Sequence, residues 1–174
     1  MRVYVPLTLP ALRQAHGAGE LGPGPLEAYA VTPGLREWYV SDASDEDEEL
    51  EYAALGRAAR ASLRLLADDA EAARRRVVVV AEVPDHEVTD GADGTDSLLA
   101  GDTVGRVRVA EAVPLAKAAA VHVDAEDAEQ DVAAAAEALE AAGRGDEDAR
   151  FTVDGVEDHE LLWFATQEIP ELVG

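Results

Sequence analysis

The chain has 174 residues, 48% hydrophobic and 29% charged, with no cysteine and a net charge of −23. That size suits one globular domain burying roughly 70% of the surface its unfolded chain exposes, and the missing cysteine removes disulfides, thiolate nucleophiles and cysteine metal sites. The charge opposes nucleic-acid backbones and anionic membranes, which both call for clustered Lys and Arg.

The N-terminus "MRVYVPLTLP" lacks the form of a signal peptide, and no window approaches the roughly 18 apolar residues of a membrane span. The expected location is the cytoplasm. Charge is uneven along the chain. Residues 1–40 hold three acids and three bases, whereas 119–174 hold sixteen acids and two bases. The neutral segment also carries Tyr4, Tyr29, Trp38 and Tyr39, half of the aromatic residues.

The first strand is "RVYVPL" (2–7), rich in β-branched and aromatic types. A helix follows to about His16, with Thr8 as N-cap, Pro10 in the first turn and Gly17 as C-cap. Gly17, Gly19 and Gly22 spell a G-x-G-x-x-G, but they follow a helix and run into Pro23 and Pro25. A dinucleotide loop must instead follow a strand and open a helix. "LEAYAVT" (26–32) reads as a second strand, and "TPGLREWY" (32–39) as a short helix capped by Thr32.

A long helix at about 45–67 is expected next, with Ser44 near its start. Its apolar face is wide: Leu50, Ala54, Ala58, Ala61 and Leu65, joined by Tyr52, Leu55, Ala59 and Leu66. Arg57, Arg60 and Arg64 form a basic stripe, and the acids at the other end favour the helix macrodipole. "RRRVVVVAEVP" (74–84) is the clearest strand, and its run of valines asks for cover on both faces. Arg74, Arg75 and Arg76 are expected in solvent between helix and strand, an anion site being the sharper alternative.

Residues 85–102, Gly- and Asp-rich, read as a flexible loop. "VGRVRVAEAV" (104–113) alternates, with Val107 and Val109 inward and Arg106 and Arg108 outward. "AAAVHVD" (118–124) is a further strand. Asp124 is placed to cap a helix at about 125–142, whose stripe is Ala128, Val132, Ala135 and Leu139. Residues 143–150 read as a second flexible loop, 160–165 as a strand, and the end as a helical turn interrupted by Pro170. The alternation favours an α/β sandwich (α+β the alternative) in one domain over 1–174, on a mixed sheet of about five to six strands.

The motifs "RVYVPLTLPAL", "LEAYAVTPGLREWY", "ELEYAAL", "HVD" and "HELLWFATQEIPEL", in this order, resemble an uncharacterised family of small acidic actinobacterial proteins. The resemblance implies a cytoplasmic protein from a GC-rich genome. It implies no catalytic residue, cofactor or partner.

The chemical candidates are few. His122 and Asp124 occupy alternate strand positions and so share a face. If the segments are neighbours, His122, Asp124, His159 and Glu160 make an acid–base set or a metal site. Against this, a helix cap accounts for Asp124 without any metal. Tyr4, Tyr29, Trp38, Tyr39 and Trp163 are candidate binding residues, and an ordinary core explains aromatics beside strands equally well. The leading expectation is a non-enzymatic binding or protein-interaction module, meeting a partner or itself through the N-terminal aromatics. The alternatives are a small enzyme using the histidines and a small-molecule sensor with an aromatic pocket. No cofactor pattern is present in the sequence, and neither nucleic acid nor membrane is an expected partner.

Overall fold

The computed structural model describes residues 1–38, 47–90 and 104–173. Tyr39, Ser44 and most of the expected 85–102 loop lie outside them. The described strands are β1 Arg2–Leu7, β2 Glu20–Leu21, β3 Leu26–Tyr29, β4 Val77–Glu82, β5 Val88–Asp90, β6 Arg106–Val109, β7 Val113–Pro114, β8 Ala118–Asp124 and β9 Leu161–Phe164. The helices are α1 Leu9–Ala18, α2 Pro33–Trp38, α3 Asp47–Asp68, α4 Glu129–Gly143, α5 Glu147–Gly155 and α6 Ile169–Val173.

Seven strands form one sheet in the order β5-β6-β3-β1-β4-β8-β9, and β2 pairs with β7 separately. The α/β character is as expected. Every pairing among the described residues is antiparallel, however, where the expectation is a mixed sheet. A continuous valine run reports burial on both faces and says nothing of strand direction. Strand β4 lies between β1 and β8 with Val77, Val78 and Val79 fully buried, the central place its composition demands.

Each face of the sheet has its own cover. Val3, Val5, Val77, Val79, Val121 and Val123 pack with Leu12 of α1 and with Ile169 and Val173 of α6. The opposite face presents Tyr4, Tyr29, Val78 and Val80 to Ala54, Ala58 and Ala61 of α3. Beyond it, Leu63 and Leu66 of α3 meet Val132, Ala135 and Leu139 of α4 and Val153 of α5. The buried Ser62 ties α3 to the sheet: its Oγ donates to the Leu7 carbonyl at 2.6 Å and accepts from the Val77 N–H at 3.0 Å.

Local signals set the helix ends. Thr8 Oγ1 accepts from the Ala11 N–H at 3.3 Å, and Thr32 Oγ1 from the Leu35 N–H at 3.1 Å. The C-cap of α1 is Gly19, not Gly17, because Gly19 holds the left-handed φ of 80° that closes the helix through Ala15 O. Gly22 and Gly24 are needed for close approach: a Cβ there would meet Ala112 Cβ at 2.7 Å and Ala110 O at 2.5 Å. The glycines thus join α1 to the segment 110–112 and face no helix N-terminus.

Four other expectations need correction. The loop assigned to 143–150 ends in α5, whose N-cap Asp146 accepts from the Ala149 N–H at 3.0 Å. Residues 85–90 are a 3-10 turn, Asp85–Glu87, followed by β5, not loop. Tyr52 and Leu65 of α3 are exposed, and Arg106 is buried beside Tyr29. Tyr52 and Leu65 fall outside the face that α3 buries through Leu50, Ala54, Ala58, Ala61, Leu63 and Leu66, and Arg106 pairs with Glu27 at 3.6 Å beside the buried Tyr29.

Candidate functional site

Helix α3 lies over β1, β3 and β4. Between it and the β8–β9 edge opens a groove of about 690 Å³. Such a volume falls within the ordinary range of ligand pockets. Tyr52, Gly56, Arg57 and Arg60 of α3 form one wall. His122 of β8 and Leu161 of β9 also line it, as do Glu157, His159 and Glu160 from the turn that leads into β9.

Three of the four chemical candidates therefore line one groove, and Asp124 is buried beside it. Asp124 does not cap a helix. Its Oδ2 accepts from the Arg76 backbone N–H and from Nε, both at 2.8 Å, while its Oδ1 accepts from Nη2 at 2.8 Å. The two side chains are 0% and 3% exposed, so the expectation that Arg76 stands in solvent is overturned. Burial selects this arrangement, because a charge removed from water needs a partner at each of its polar atoms. Nη2 of Arg76 also donates to His159 O at 3.0 Å and Val156 O at 3.3 Å, which pins the turn forming the groove's far wall.

The neighbouring arginines are built in as well. Arg74 donates to Leu66 O at 2.7 Å and to Asp69 O, closing the C-terminus of α3, and Arg75 donates to Asp124 O at 2.9 Å. Arg60 pairs with Asp154 at 3.2 Å and with Glu157. The Arg57 guanidinium lies 5.9 Å from the Trp38 ring centroid, in cation–π range. The sequence reading placed Arg57 and Arg60 on one stripe but had no reason to set them opposite His122.

The two histidines differ. His159 Nε2 is 2.7 Å from Asp131 Oδ2 on α4. His122 is half-buried, and its Nδ1 is enclosed with no hydrogen-bond partner among the described residues. Burial pushes its pKa below the ordinary 6.5. The folded state then holds fewer protons than the unfolded chain as pH falls through about 6.5, so stability is full above that value and is lost below it. We expect wild-type stability to fall more steeply than that of His122→Leu between neutral and mildly acidic pH, measured by urea unfolding. Equal slopes would show that His122 stays solvated.

Among the described residues, no three or more His, Asp or Glu side chains are placed to hold a metal ion. The aromatic candidates separate. Tyr4 and Tyr29 are core residues at 5% and 0% exposure, and burial pushes the Tyr29 hydroxyl up to about 12. They offer no surface to a partner, because α3 packs on the face that carries them. Trp38 and Trp163 are exposed, and Tyr39 lies outside the described residues. Trp163 stands directly across from His122 in the β8–β9 register.

Among the described residues, no helix is long and apolar enough to cross a membrane. Comparison with curated proteins and with solved structures gives no match. A family model does match, over residues 1–173, and the chain accordingly belongs to DUF6912, a family of unknown function.

Proposed function

We propose that the protein is a non-enzymatic binding module whose ligand seats in the groove between α3 and the β8–β9 edge. The observation that carries this reading is the open groove of about 690 Å³, which brings the half-buried His122 imidazole together with Tyr52, Arg57 and Leu161. A hydrogen bond from a seated ligand to the groove-lining part of the imidazole contributes about 0.5–1.5 kcal/mol to binding. Tyr52, Leu161 and the Arg57 stem supply apolar surface around it. As part of the same reading the chain works as one domain in the cytoplasm, in keeping with the resemblance carried by its motifs.

Acid–base chemistry at His122 is the weaker reading. It asks for Asp124, whose two carboxylate oxygens are already held by Arg76, and for His159, whose ring nitrogen is engaged by Asp131.

The test is an NMR screen of small aromatic heterocycles carrying hydrogen-bond donors and acceptors. At least one should shift the amides of Gly56, His122 and Leu161, and His122→Leu should weaken it about tenfold, the worth of one hydrogen bond. A screen in which no compound moves those amides overturns the reading.

A further inference from the structure

Among the described residues, strand β9 has β8 on one side and ends the seven-stranded sheet on the other. Its sequence, Leu161-Leu162-Trp163-Phe164, holds no charge and no proline. Leu162 is 47% exposed and Trp163 61%. Edge strands are normally blunted by charge, proline or cover, because their outward N–H and C=O groups template pairing with another chain. The far edge obeys this with Asp90 at the end of β5; β9 does not.

Trp163, directly across from His122, faces the groove side of the sheet, and Leu162 faces the other. Carboxylates flank the strand in sequence: Asp158 and Glu160 before it and Glu171 after it, besides Glu157, which pairs with Arg60, and Glu168, which accepts from the Ala165 N–H. From residue 151 to 174 there is no lysine or arginine. The edge is therefore apolar in itself and negatively framed at both ends.

We infer that β9 receives an extended basic segment of a partner protein as an added strand, with alternate side chains reaching toward the groove beside Trp163. In this mode main-chain hydrogen bonds supply affinity and every second side chain supplies specificity. The carboxylates select basic side chains, and they oppose a second copy, since each chain carries −23. The inference rests on the groove being a binding site and adds the occupant and its docking mode.

The probe is a short peptide of alternating lysine and valine. Three peptides are compared by titration against the labelled full-length protein: this one, a version N-methylated at every residue, and a version with glutamate for lysine. The expected result is amide shifts centred on Leu162 and Trp163. N-methylation should weaken binding about tenfold or more through lost strand hydrogen bonds, and the glutamate peptide should not bind. Trp163→Thr, which keeps a strand-compatible side chain, should weaken binding of the parent peptide at least fivefold (roughly the worth of a modest aromatic contact). Should that variant not fold, the methylated peptide decides by itself.

Equal binding of the methylated peptide would mean charge adhesion alone and overturns the inference. So do shifts centred elsewhere, or a concentration-dependent dimer abolished by Trp163→Lys. Heterocycles that still shift Gly56 and His122 when the peptide fails would leave the groove reading intact and reject only the strand addition.

Discussion

Replacing Asp124 with alanine should lower the unfolding free energy by about 3–5 kcal/mol, because Arg76 is then left charged, buried and without its carboxylate. The cost belongs to breaking the pair, not to its net worth. Removing both charges with Arg76→Met and Asp124→Leu should therefore recover part of the loss, since apolar side chains often replace buried pairs at little cost, while the Arg76 N–H and the His159 carbonyl still lose a partner. Urea unfolding followed by circular dichroism measures both. The single variant should also loosen the turn held through Val156 O and His159 O, visible as faster amide exchange there. A single-variant loss under about 1 kcal/mol, typical of exposed pairs, would contradict the buried pair.

Leu63→Ala should cost about 2–5 kcal/mol, the range for emptying a buried leucine site, while Leu65→Ala two residues on should stay within about 0.5 kcal/mol. Leu63 is 0% exposed and Leu65 is 41% exposed. Leu63 sits in the cluster where α3 meets α4 and α5, so its loss should preferentially raise exchange in those two helices. The comparison is a sharp one, because helical periodicity in the sequence favours Leu65 as the inward residue. Equal losses at the two positions would mean that α4 and α5 are not docked on α3 in this way.

That contrast shows where sequence reasoning ends. The stripe in 45–67 is wide enough that spacing alone does not choose which flank is covered, and the choice falls to α4 and α5, more than sixty residues later in the chain. The helix at Glu147–Gly155 was within reach, because Asp146 followed by two acids is a cap-and-first-turn pattern. The glycines around it made the stretch read as loop. His122, His159 and Glu160 were legible as residue types at strand ends, and the sheet order brings them to one groove. Asp124 was placed on the right strand but given the wrong partner. A cap is a local solution, whereas Arg76 reaches Asp124 only because β4 and β8 are neighbours.

Local chemistry in the chain determined the strands at 2–7, 77–82 and 118–124, the threonine caps, and a strongly anionic surface. These depend on side-chain shape, hydrogen-bond reach and charge within a few residues. The tertiary structure decided strand direction, the burial of Arg76, the enclosure of His122 and the bare edge at β9. Each of these is a matter of which distant surface removes water from a group, and neighbours in sequence carry no information about that.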